Sequence, residues 1–215
     1  MTKKQLRAHL EAYELTAIAE PAAQRGRVLS HLVGLTYEGD LLIAWRAIEA
    51  FGLAAAAAAD RDPEFVRGHL RRLLWLLSDE SGGICWHAPE LIGEVLHRRP
   101  TTFAPFAPPL IAVLDLEAED APRFRAGALW GIGRVAERAP ELLGTAIPLV
   151  TPCLDDPDPQ VRGQAAVCLG RLGHGEILAQ RPRLLADEGN VMLYRDGGLT
   201  VTTVGQLARE AVAAR

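Results

Sequence analysis

Aromatic residues are scarce in this 215-residue chain: tryptophan, tyrosine and phenylalanine together make up 6%. Alanine is heavily used instead, as helix-on-helix packing favours. Cysteine is scarcer still. Cys85, Cys153 and Cys168 are odd in number and show no CxxC spacing. This excludes a disulfide framework and reads as core thiols in a reducing compartment. No apolar run reaches membrane-spanning length, and the alanine-rich stretch Leu53 to Ala59 is far too short. Arg7, His9, Glu11 and Glu14 leave no room for the apolar segment of a signal peptide. A soluble, cytoplasmic protein with no membrane partner is expected. Positive charge is also lacking. The net charge of -4 argues against general nucleic-acid binding, which needs many phosphate-neutralising cations, and leaves room only for a local basic patch.

What is present is a globular composition, 49% hydrophobic and 23% charged, carrying a repeat. Four ten-residue blocks align without gaps: Ile43 to Gly52, Ile84 to Gly93, Phe124 to Gly133 and Val161 to Gly170. Each begins with a large apolar residue and has alanine fifth, at Ala47, Ala88, Ala128 and Ala165. Each has a large apolar residue ninth and glycine tenth. The starts at 43, 84, 124 and 161 are spaced as a two-helix repeat requires. Positions one, five and nine share one helical face. Small fifth and tenth residues let neighbouring helices come close.

The last block follows Asp155-Asp156-Pro157-Asp158-Pro159, where Asp and Pro cap and start a helix. Asp158-Pro159-Gln160-Val161-Arg162, with Ala165, Leu169 and Gly170, resembles the second helix of a HEAT repeat. Phe124-Arg125, Ala128 and Gly133 follow the pattern more loosely. The resemblance spans residues 22–172 and includes a small group of bacterial HEAT-like proteins with no assigned activity. It implies an all-α fold, a HEAT-like α-solenoid of four to five repeats. Residues 1–215 then form a single domain. Residues 1–20 hold an N-terminal capping helix over 3–18, and 21–187 the helix pairs. First helices are expected at 22–36, 62–79, 103–116 and 140–154. Asp62-Pro63-Glu64 opens the second of these with a cap and a first-turn proline. Residues 188–215 read as a small β-hairpin cap. Asn190 to Arg195 and Leu199 to Val204 flank the turn Asp196-Gly197-Gly198, and a helix follows from Val204 to Ala213. The hairpin is expected to cover the end of the stack, with a partner-binding edge strand as the lesser reading.

The resemblance also implies that block helices line a concave side. Trp45, Glu49, Trp86, His87, Glu90, Glu94, His97, Trp130 and Arg134 would then face a ligand, with Gly82 and Gly83 in the loop before the second block. Pro89 breaks the pattern, because a helix interior does not tolerate it. The helix is therefore expected to start near Ala88, with residues 84–87 as a non-helical lead-in and Trp86 exposed at the rim. Glu90, Glu94 and His97 then share a face at ~100° per residue, while His87 leaves it. Glu94-Val95-Leu96-His97 has the carboxylate–imidazole spacing of di-metal bundles, but no second Glu-x-x-His exists. The expected reading of this face is solvated and polar, without metal or cofactor. Cys85 beside His87 has the residue types of a thiol nucleophile, with an inert buried thiol as the favoured reading.

These observations favour a non-enzymatic scaffold that binds a protein partner on its concave face. Charge reversal at Glu90 and Glu94 would then weaken capture without unfolding the chain. One alternative is an enzyme or a ligand- or metal-binding protein with a pocket around Trp86, Glu90, Glu94 and His97. Another is a nucleic-acid binder using Arg67, Arg71, Arg98 and Arg99.

Overall fold

The computed structural model describes residues 1–24, 27–77, 85–116 and 121–214. It divides into two compact units, Met1–Phe106 with Asp196–Gly198, and Ala107–Arg195 with Leu199–Arg215. The fold class is an all-α, HEAT-like solenoid with a two-stranded sheet near the C-terminus.

The first unit opens with α1 (Lys3–Glu11), whose Thr2–Gln5 capping box satisfies two of the orphan amides of a helix start. The expected helix over 3–18 stops here. Tyr13 adopts a left-handed conformation (φ 56°), its N–H bonds to Leu10 O, and Glu14 N–H bonds to His9 O. That is a Schellman ending with tyrosine where glycine is usual, at a cost of roughly 1–2 kcal/mol in backbone strain. Arg46 offsets it. Its Nη1 donates to the carbonyls of Leu10 and Glu11 in the last turn, and its guanidinium lies 5.1 Å from the centre of the Tyr13 ring.

The chain resumes in α2 (Thr16–Gln24) and α3 (Arg27–Leu35), within which the expected helix 22–36 falls, apart from residues 25–26, which lie outside the described residues. Next comes α4 (Leu41–Ala59), capped by Asp40, which accepts from the amides of Leu42 and Ile43. It packs against α2, α3 and α6. Its nineteen residues are, by length and composition, apolar enough to cross a membrane, which the sequence reading did not anticipate; 56% of the apolar window is buried within the fold, as in a core helix. Asp62 caps α5 (Pro63–Trp75) and Pro63 occupies its first turn, as expected. Helix α6 (Ala88–Arg98) starts at the expected residue, with Pro89 in its first turn. The short α7 (Pro100–Phe103) closes this stretch.

In the second unit the expected first helices are broken. Residues 107–115 fold as α8 (Ala107–Ala112) followed by a 3₁₀ turn. After the block helix α9 (Ala121–Ala136), residues 140–155 form α10 (Ile147–Val150) between two 3₁₀ turns. Proline explains both breaks, because each proline removes an amide donor and clashes with the preceding turn. Pro105, Pro108 and Pro109 crowd the first stretch, and Pro140, Pro148 and Pro152 the second. The block helix α11 (Pro159–Arg171) is capped by Asp158, which accepts from Gln160 N–H at 2.8 Å. It ends in a second Schellman motif, here with Gly173 in the left-handed position (φ 82°).

Helices α12 (Gly175–Ala179) and α13 (Pro182–Leu185) lead into β1 (Asn190–Arg195) and β2 (Gly198–Thr203). Asp196 and Gly197 both have positive φ, as a type I′ turn requires. The chain closes with α14 (Val204–Ala213), which packs with β1 on α11. The Gln160 amide pairs with both the N–H and the C=O of Met192 at 2.9 Å, filling one position on the β1 edge.

The repeat accounts for the core. Described residues at positions one, five and nine of every block are 0–2% exposed. Two of the tenth-position glycines, Gly52 and Gly170, are close approaches. A Cβ on Gly170 would lie 2.5 Å from Ala211 Cβ, and one on Gly52 would lie 2.9 Å from Glu94 Cβ.

Candidate functional site

The residues singled out in the first unit lie on α4, α6 and the turn before α6. Three of them are not on the surface. Glu90, Glu94 and His97 are 5%, 1% and 5% exposed. The expected solvated face is corrected here, and the cause is packing. Gly52 lacks a side chain, so α4 and α6 approach until Glu94 is covered. Gly82 and Gly83 lie outside the described residues.

Of the buried carboxylates, Glu94 joins a charged network. Arg98 Nε lies 3.6 Å from Glu94 Oε2, and Arg98 Nη2 lies 3.8 Å from Glu49 Oε1. Tyr13 Oη bonds to the Glu49 carboxylate at 3.2 Å. Burial, followed by the Glu49 charge and this bond, raises the Tyr13 pKa above the usual tyrosine value. The network thus ties the end of α1 to α4 and α6.

A second cluster surrounds the start of α6. His87 takes the capping position, and its Nδ1 lies 3.0 Å from Glu90 Oε1. The ring is tilted against Trp45, with centroids 6.0 Å apart. Glu90 Oε2 is buried without a hydrogen-bond partner. His87, expected to leave the shared face, instead engages Glu90 directly. Trp86, expected to be exposed, is half-buried, as are Trp45, Glu49 and His87.

Cys85 sits between these groups, fully buried, with Tyr37 and the His87 backbone as hydrogen-bond partners. Burial pushes its thiol pKa upward, outweighing both bonds, and the charge of Glu90 adds to the rise. The thiol is therefore neutral at pH 7, which favours the inert reading over a thiolate nucleophile. Tyr37 was not singled out from sequence, and nothing in its spacing marks it. It is 52% exposed, and partial burial together with the bond to Cys85 raises its pKa.

In the second unit, Trp130 is buried at 6% exposure, with Arg134 lying 5.8 Å from its ring centre. Arg134 and Arg171 both pair with Glu137. The arginines considered for nucleic acid also carry protein contacts. Arg67 meets Thr102 O and Phe103, Arg71 meets Glu64, and Arg99 meets Asp60. Among the described residues, no group of three or more His, Cys, Asp or Glu is placed to hold a metal ion.

A cavity of about 620 Å³ in the second unit was missed entirely. It lies between the turn at residues 154–157, Arg162 of α11, and residues 181–187. Its arginines are dispersed in sequence, so no local motif marks it.

Residues 122–172 match the family model described as HEAT-like repeat. An uncharacterised protein of Archaeoglobus fulgidus is 35% identical over 109 residues, which is 50% of this chain and 54% of that protein. The chain thus spans about half the length of this curated relative. Two solved structures share the fold at low identity. An engineered protein aligns with a TM-score of 0.54 at 17% identity, covering 100% of this chain and 98% of its own. A designed armadillo repeat protein in complex with the peptide (KR)4 aligns with a TM-score of 0.50 at 17% identity, covering 98% of each chain. Residues 122–172 are therefore HEAT-like repeat sequence, and the chain carries the fold of the HEAT-like and armadillo repeat proteins.

Proposed function

We propose that this chain is a non-enzymatic interaction module that binds a protein partner on the concave side implied by its repeat fold. In the first unit the contact residues are Trp45, Glu49, Trp86 and His87. Glu90, Glu94 and His97 stand behind them as supports rather than as contacts. The observation that carries this reading is the half-buried Trp45 ring against the His87 imidazole, with the half-buried Trp86 next to His87 in the chain and Glu49 paired to Arg98, which also lies beside the buried Glu94. Aromatic side chains seated on a rigid base supply much of the energy of protein interfaces. The fold is consistent with that use, since stacked repeats present extended binding surfaces and the designed armadillo neighbour holds a peptide.

The test is affinity capture with purified wild type, Trp45→Ala and Trp86→Ala, each checked by thermal melting. Loss of the same polypeptide partner from both variants, with melting still cooperative, is the expected result. An unchanged set of captured partners would overturn the proposal.

A further inference from the structure

A two-stranded sheet has two outer edges, and this hairpin leaves them in different states. The two-residue turn and the bond from Val204 N–H to Gly189 O fix its register, which sets Met192 opposite Val201. Backbone groups alternate along each strand between facing the other strand and facing outward. Met192 therefore points its N–H and C=O outward on β1, as do Leu199 and Val201 on β2. On β1 the Gln160 side chain takes both groups of Met192. On β2 no further strand follows, and among the described residues no hydrogen bond from elsewhere reaches the backbone of Leu199 or Val201.

Edge strands are commonly blunted by a lysine, a proline or a bulge. Gly198 to Thr203 contains no charge and no proline, its pairing is regular, and Val201 at its middle is 69% exposed. We propose that this edge pairs with the same edge of a second copy of the chain. The result is an antiparallel four-stranded sheet with a two-fold axis at Val201.

The strand itself selects this occupant. A two-fold interface must be complementary to itself, and Thr200-Val201-Thr202 reads the same in both directions. With the axis at Val201, valine faces valine, Thr200 faces Thr202 of the second copy, and no like charges are opposed. Val201 exchanges two backbone hydrogen bonds with its counterpart. Thr203 N–H reaches the Leu199 carbonyl of the second copy, while the Thr203 carbonyl stays with α14, whose N-cap is Thr203. On the outer face Met192, 37% exposed, lies beside Val201. Pairing thus lines up Met192 and Val201 of both copies in one apolar row across four strands. A single strand pair is smaller than the roughly 1,200 Å² of a standard interface, so the dimer is weak and concentration-dependent. The contact uses none of the residues assigned to partner binding above, and either reading can fail without the other.

The test is sedimentation equilibrium of the full-length chain as wild type, Val201→Lys and Val201→Glu, with melting checked for each. Wild type should show a reversible monomer–dimer equilibrium. Each variant alone should associate about tenfold more weakly, because an apolar pair is lost and like charges face each other. An equimolar mixture of the two variants should associate more tightly than either alone. Amide exchange at Val201 and Thr203 should slow as wild-type concentration rises, while Thr200 and Thr202, which face β1, stay unchanged. A wild type that is monomeric at every concentration would overturn the proposal, even if an added extended peptide bound to β2. A dimer of undiminished affinity in both variants would overturn it too.

Discussion

Glu94 shows how a residue that looks like surface becomes interior. It follows the tenth-position glycine of its block, and its charge makes a solvated face the natural reading. What covers it is Gly52 on another helix. Reversing its charge would set two cations side by side in a buried position, the introduced ammonium against the Arg98 guanidinium. Glu94→Lys is expected to destabilise the fold by roughly 3–5 kcal/mol in urea unfolding, which replaces the sequence-based expectation of weaker capture without unfolding. An unfolding midpoint equal to wild type would contradict the network. Asp187 gives a test in pH. The Arg162 hydrogen bond, the largest cause, holds its pKa below the usual aspartate value of 3.8. A group whose folded pKa is depressed contributes stability above its unfolded pKa and loses it as pH falls through the folded value. Wild type should therefore lose stability relative to Asp187→Asn as pH drops below about 4. Parallel acid profiles for the two proteins would show that the pair contributes nothing.

At the scale of elements, the block helices were legible because small residues recur in register with large apolar ones. Gly52 and Gly170 mark real helix contacts, while a Cβ added to Gly34 in α3 would meet nothing within 4 Å. Gly52→Ala should cost roughly 1–3 kcal/mol through overpacking. Gly34→Ala should be neutral or stabilise by up to about 1 kcal/mol through helix propensity. Equal effects of the two, read by thermal melting, would mean that α4 and α6 are not in close contact. The start of α6 was legible for a different reason: proline is tolerated in a first turn, and Pro89 left few other choices. The broken segments over 100–115 and 140–155 were not legible as such. Each proline is compatible with a helix start, and only several in succession leave no helix long enough to continue. The end of α1 was hidden too, because tyrosine does not announce a left-handed position and its support comes from Arg46, far along the chain.

For the molecule as a whole, the repeat made the fold class readable, whereas the chemistry of the charged positions depended on contacts between helices. The three cysteines illustrate the readable part. All are buried and unpaired with one another, and burial raises the thiol pKa of Cys153 to about 11 and of Cys168 to about 12. A thiol-specific reagent at pH 7 should label none of the three in the native protein and all three in denaturant. Rapid native labelling would contradict the packed core. The proposed function is tested most directly by photo-crosslinking from position 86 and from position 45, with the exposed Val201 of β2 as the comparison. A single partner polypeptide crosslinked from 86 and 45, and displaced by excess unmodified protein, is the predicted result. Crosslinks from 201 alone, with none from 86 or 45, would contradict it.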